Sequence, residues 1–170
     1  LDGTPTTDVT TSATGPFNNM GVPGAKSYHL VTPGYGSVAG VANGTANPWF
    51  ARFATSESTT VLADAVSLNP TFFSLWTGNN DVYSYASQGG IGEDQLGNSD
   101  ISTYGYRDIT DPNAFATAYS AQVDALTANG AKGVLVNITA GLGMTIGEFE
   151  AVGEAIKSFT SEDATVVVGT

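Results

Sequence analysis

Two short clusters hold the residues best suited to meet a ligand through neutral donors: Asn19-Met20-Gly21-Val22-Pro23-Gly24, and, well downstream, Gly78-Asn79-Asn80-Asp81. In an open α/β sheet both would lie just beyond the carboxyl ends of strands, where such sheets present ligands. Taken singly, each has a plainer reading. Glycine clusters make tight turns, and Asn or Asp after a strand closes a side-chain-to-backbone turn. Acid–base chemistry has one candidate, His29, the single histidine, with Ser27 two residues before it and Lys26 three before. A Ser27–His29 pair is conceivable in an extended loop, but nothing in the sequence orients the imidazole, and the Lys26 charge disfavours its protonated form. A loop-packing or solvent-facing histidine is the better reading. No Gly-x-Ser-x-Gly elbow is present.

Metal chemistry has less support, since one histidine with scattered acids gives no recognised ligand spacing, and no metal or other cofactor is expected. Glu93, Asp94, Asp108 and Asp111 could surround calcium loosely, yet no EF-hand pattern accompanies them, so solvated acidic loops are the favoured reading. Tyr83, Tyr85, Tyr104 and Tyr106 could line a groove for an acyl or glycan ligand. Alternation across a loop or edge strand gives the same spacing and is preferred.

Composition narrows the partners. Sixteen acidic against five basic residues give a net charge of −11, a field that repels phosphate backbones and anionic headgroups. Nucleic acid is therefore not expected as a partner. No stretch approaches the ~20 apolar residues of a membrane span. Without cysteine there are no disulfides, thiolate metal sites or cysteine nucleophiles.

The elements that must position these residues read as alternating helix and strand. Residues 1–16 form a polar lead-in without apolar periodicity, expected to add nothing to a core, and 17–44 read as a long Gly- and Pro-rich loop. Asn47-Pro48 caps a brief helix carrying Trp49, Phe50 and Phe53. A second helix through Val61–Leu68 feeds a strand at Thr71–Trp76, and residues 87–110 form a surface excursion. Asp111-Pro112 starts a long helix with Phe115, Tyr119, Val123 and Leu126 on one face and Gly130 as its stop. A buried strand at 134–138, a helix capped by Thr145 and Glu148, and a strand at 164–168 complete the pattern. Helix–strand alternation with short connections points to a parallel α/β sheet covered on both faces.

Two family resemblances overlay this reading. Over about residues 15–133 the chain resembles the SGNH (GDSL-like) hydrolases through Pro16-Phe17-Asn18-Asn19, the Asn19–Gly24 cluster, Ala25–His29, Asn47–Phe50 and Ser74–Val82. That resemblance implies a flavodoxin-like three-layer α/β sandwich with a mainly parallel sheet, an extracytoplasmic setting and a small-molecule ester or acyl ligand. It further implies Gly24 and Asn80 as oxyanion donors, supported by Asn19, Gly21, Gly78 and Asp81. Preorganised donors are what a developing negative oxygen requires. The family's Gly-Asp-Ser and Asp-x-x-His blocks are both missing, so nucleophile and base are not assignable and the catalytic set is incomplete.

From about Gly130 to Thr170 the chain is instead similar to FtsZ, the bacterial tubulin homologue, through Ala131–Gly141, Ile146–Ile156 and Asp163–Thr170. This resemblance implies part of that family's carboxyl-terminal domain and a cytoplasmic setting. The family's glycine-rich GTP loop belongs to another domain and has no counterpart here. The chain thus reads as chimeric: a flexible lead-in over 1–16 and a single α/β domain over 17–170, SGNH-like to 133 and FtsZ-like from 130. Three functions are carried forward: an inactive ester-hydrolase-like domain, a non-catalytic module for an acyl or glycan ligand, and an FtsZ-like assembly fragment without a GTP site.

Overall fold

A computed structural model describes residues 12–136. Contacts divide the chain after Asn137, and all the described residues fall in the first unit. The expected helix after Thr145 and strand at 164–168 lie outside the described residues.

The first helical turns grow from local caps. A 3-10 turn spans Ser27–Val31; it is followed by α1, Val38–Ala42, whose Ser37 side chain accepts the Gly40 N–H, and α2, Pro48–Ala51. In α2 the Asn47 carboxamide oxygen takes the N–H groups of Trp49 and Phe50, and Pro48 has no N–H to satisfy, as the Asn-Pro pair predicts. The reading of 17–44 as loop alone is corrected here. Five-residue elements are too short for an apolar periodicity, and the 3-10 turn is closed by bonds such as His29 N–H to Lys26 O, which leave no sequence signature.

The helix α3, Val61–Ser67, is capped by Thr60 and leads into β1, Phe72–Trp76. Next comes α4, Asn79–Ser87, then a 3-10 turn at Ile101–Thr103, α5 at Pro112–Thr127, and β2 at Lys132–Val136. Strands β1 and β2 pair in parallel with Phe72 opposite Lys132 and Trp76 opposite Val136, and α5 lies within the β1–β2 connection. The class is mixed α/β with a two-stranded parallel sheet among the described residues. Gly130 adopts φ +81° after α5, as its placement as a helix stop requires.

Two apolar clusters hold these elements. Ala25, Tyr35, Phe50 and Val61 form one, with Met20, Val22, Leu30, Phe53 and Ala54 packed around it. Phe73, Leu75, Leu126 and Ala131 form the other, joined by Leu62, Ala65, Val66, Tyr119 and Val123. Helix α3 serves both clusters, Val61 in the first and Leu62, Ala65 and Val66 at the second. Fully burying a side chain such as Phe50 contributes roughly 1.5–3 kcal/mol. Residues 12 and 13 reach the fold through polar bonds: Ala13 N–H donates to Arg52 O and Ser12 Oγ to Ala51 O.

Two further expectations change. Gly78-Asn79-Asn80-Asp81 is the first turn of α4, with Gly78 at φ +111° in the N-cap position, and not only a turn after the strand. Tyr83 and Tyr85 accordingly sit on a helix instead of alternating along a loop or edge strand. A glycine N-cap followed by Asn-Asn-Asp carries no apolar periodicity, which hid this helix from a pattern reading.

Candidate functional site

The two glycine–asparagine clusters meet. Val22-Pro23-Gly24-Ala25 is a tight turn closed by Ala25 N–H to Val22 O at 3.2 Å, with Gly24 at φ +75° in the position where type II turns need glycine. Asn47 Nδ2 donates to Pro23 O (3.1 Å) and to the Tyr35 hydroxyl, while Asn80 Nδ2 donates to Ala25 O at 2.9 Å. Asn80 is thereby bound one residue from Gly24. One Asn80 N–H is committed to this brace, and among the described residues the Gly24 N–H donates to no acceptor. A Cβ built on Gly24 meets nothing within 4 Å. Gly21 is fixed by its N–H to Asn19 Oδ1 at 2.9 Å, so Asn19 shapes this loop locally.

Asp81 ties the clusters together from below. It is buried, and its carboxylate accepts the Ser27 N–H at 2.8 Å and the Ser27 hydroxyl at 2.7 Å. Its own carbonyl receives the Thr110 N–H at 3.0 Å. On the other side of Ser27, Gln122 of α5 donates Nε2–H to the Ser27 carbonyl (3.0 Å) and to Ala118 O. Gln122 sits at a core-facing position of α5, in register with Phe115, Tyr119 and Leu126. An apolar-face reading passes over it because it is polar, although its place on that face was the available signal.

Ser27 and His29 do not share a hydrogen bond. The serine hydroxyl is fully buried and committed to Asp81, whereas His29 Nδ1 accepts the Lys26 N–H at 3.0 Å. The imidazole stacks on Tyr35 with ring centroids 4.4 Å apart and planes 9° from parallel. Burial, helped by the Lys26 charge, lowers its pKa from 6.5 to about 4, so it is neutral near pH 7. Burial likewise pushes the Tyr35 phenol up to about 12, against the pull of the Asn47 hydrogen bond.

Lys26 is itself buried, and its ammonium donates to Asp108 O (2.6 Å) and Gly105 O (3.4 Å). Desolvation lowers its pKa, opposed by the negative charges of Asp81 and Asp108. Asp108 and Asp111 of the acidic loop are supplied with hydrogen-bond donors. Burial works against ionisation of Asp108, but N–H groups of Glu93 and Gly105, the Gln95 amide and the Lys26 charge outweigh it and lower the pKa. Asp111 takes N–H groups from Gly97, Asn113 and Ala114. These carboxylates organise backbone, and among the described residues no group of three metal-ligating side chains forms. No helix among them is long and apolar enough to cross a membrane.

The family model described as the FtsZ family, C-terminal domain, matches residues 111–170. A cell division protein FtsZ of Coxiella burnetii is 73% identical over 41 residues, 24% of this chain and 11% of that protein. One of Buchnera aphidicola subsp. Baizongia pistaciae is 64% identical over 42 residues, 25% of this chain and 11% of its own, and one of Pseudomonas aeruginosa is 58% identical over 41 residues, 24% and 10%. The chain therefore spans about a tenth of the length of the curated relatives it matches. No solved structure shows a significant match.

These findings correct the description of the chain as a hydrolase, whether esterase, lipase-like or SGNH: the similarity runs to cell division proteins. Glycine turns, Asn-Pro caps and an Asn-Asn-Asp helix start are general folding devices, and the structure uses them to brace backbone. The segment over residues 111–170 is similar in sequence to the C-terminal domain of the FtsZ family.

Proposed function

We propose that the chain acts as an FtsZ-type assembly element, contributing the surface of that family's C-terminal domain through residues 111–170 and no nucleotide chemistry of its own. The family match over those residues carries the reading. Its first residue is also a structural boundary, because Asp111 caps α5 and Pro112 opens it, so the matched sequence begins where a helix begins. The relatives bear the name of a cell division protein, and the proposed partner is accordingly FtsZ, in the cytoplasm. Mixing the whole chain with full-length FtsZ in the absence of GTP, and following binding by fluorescence anisotropy of the labelled chain, tests this. Saturable binding without nucleotide supports it; a chain whose anisotropy ignores FtsZ removes it.

A second reading rests on the joined turns. The Gly24 N–H and the second N–H of Asn80, supported by Asn19, Gly21, Gly78 and Asp81, would receive a carbonyl or hydroxyl oxygen of a small acyl or glycan ligand, without turnover. The open space beside Gly24 favours it. Ligand-dependent rises in Tm that vanish in Asn80→Ala would support it, since a ligand binding only the native state stabilises by mass action. An unchanged Tm across short acyl amides and oligosaccharides would remove it.

A further inference from the structure

The chain contains two Asn-Gly pairs, Asn43-Gly44 and Asn129-Gly130, each following a helix and each exposed. Asn-Gly is the pairing in which a side-chain amide is most open to attack by the next backbone nitrogen, because glycine has no side chain to shield that nitrogen. The two sites are held differently. Asn43 is the C-cap of α1, and its Nδ2 donates to Ala39 O at 3.3 Å. Around it the Gly40 carbonyl receives the N–H groups of Asn43, Thr45 and Ala46 and the Thr45 hydroxyl, while Gly44 N–H donates to Val41 O. The backbone on both sides of the Asn43–Gly44 bond is therefore bonded into one knot.

Gly130 N–H is bonded three residues back as Gly44 N–H is, and what Asn129 lacks is the hold on its side chain and the shared carbonyl that gathers the residues around Asn43. Asn129 lies in the turn after Thr127, the last residue of α5, and its side chain makes no hydrogen bond among the described residues. The turn is held by Gly130 N–H to Thr127 O at 2.8 Å, and the chain is next anchored at Lys132, whose N–H donates to Thr71 O.

We propose that Asn129-Gly130 is a spontaneous modification site, deamidating in the native protein while Asn43-Gly44 is protected. Hydroxide removes the Gly130 amide proton, and that nitrogen attacks Asn129 Cγ. A C–N bond forms, the Cγ–Nδ2 bond breaks, and the departing nitrogen takes a proton from water and leaves as ammonia, regenerating hydroxide and closing a five-membered imide. Water then opens the imide at one of its two carbonyls, giving aspartate or isoaspartate at position 129. No oxidant or reductant is needed. Either product adds a negative charge just past the carboxyl end of α5, where the helix dipole disfavours it, and isoaspartate also inserts an extra backbone carbon before β2.

The test is incubation of the whole chain in mildly alkaline buffer, native and in urea, with peptide mapping by electron-transfer fragmentation to separate aspartate from isoaspartate. The expected result is conversion at Asn129 several-fold faster than at Asn43 in the native protein, with the gap closing in urea. Equal native rates, faster conversion at Asn43, or a gap that persists in urea would each overturn the proposal. An Asn129→Gln variant should abolish the fast product; its persistence in that variant would assign it elsewhere.

Discussion

Replacing Asp81 by alanine strikes the point on which the Gly24 turn, the 27–31 turn, α4 and α5 converge. The buried carboxylate accepts the Ser27 N–H and hydroxyl at 2.8 and 2.7 Å, and Ser27 in turn presents its carbonyl to Gln122. A hydrogen bond to a charged group contributes about 1.5–3 kcal/mol, and truncating its acceptor leaves the buried donors unsatisfied. Two such bonds give an expected loss of about 3–6 kcal/mol, a large part of the roughly 5–15 kcal/mol that holds a domain together. Ser27→Ala removes only the hydroxyl bond and should cost about 1.5–3 kcal/mol. In a double-mutant cycle the two changes should be non-additive by about 1.5–3 kcal/mol, because they share that bond. Both tryptophans, Trp49 and Trp76, lie in the described unit, so urea unfolding followed by their fluorescence reports on it. A loss below about 1 kcal/mol in Asp81→Ala, or strict additivity with Ser27→Ala, would refute the assignment of this clasp.

Three other perturbations follow from the same structure. His29 titrates near 4 when folded against 6.5 in its ordinary state, so the unfolded chain takes up the proton first. Stability from this residue is complete above pH 6.5 and lost as pH falls towards 4, by about 3 kcal/mol; His29→Gln should remove that part of the slope in pH-dependent urea midpoints, and an unchanged slope would contradict it. Gly133→Ala would place a Cβ 2.2 Å from Phe73 Cζ, so it should lower stability by about 1–3 kcal/mol in the same unfolding assay, whereas a neutral effect would mean that β2 does not sit against β1 in this register. Asn47→Ala loses the α2 cap together with the donors to Pro23 O and the Tyr35 hydroxyl, for an expected cost of about 1–2 kcal/mol and a measurable fall in Tm; an unshifted Tm would deny the brace.

What could be read from the residues depended on whether a feature was local and periodic. Asn47-Pro48, Asp111-Pro112 with its apolar face, and Gly130 announce their elements directly, and α2, α5 and the turn at Gly130 stand where those signals put them. The strand Phe72–Trp76 also stands within the expected 71–76, because alternate residues Phe73 and Leu75 turn inward. Helix α4 carries no pattern to read, because Asn79, Asn80, Ser84 and Ser87 offer no apolar stripe and its first turn is held by tertiary bonds from Asp81 and Asn80. The meeting of the Gly24 turn with Asn80 was legible only as a possibility, since nothing in spacing alone says that Asn80 reaches Ala25 O. Buried Lys26, held by two carbonyls of a distant loop, was not legible as a core residue at all, because burial of an ammonium depends on acceptors far along the chain. The hydrolase expectation came from short motifs that many folds share, whereas the FtsZ-like segment is dense in identities over about 40 residues and withstood comparison.

The proposed association through an FtsZ-type surface is read by sedimentation velocity. Run with the whole chain alone, FtsZ alone and the two together without GTP, it should show a boundary in the mixture that moves faster than either component and carries both proteins. Two boundaries that sediment in the mixture as they do alone would rule that association out.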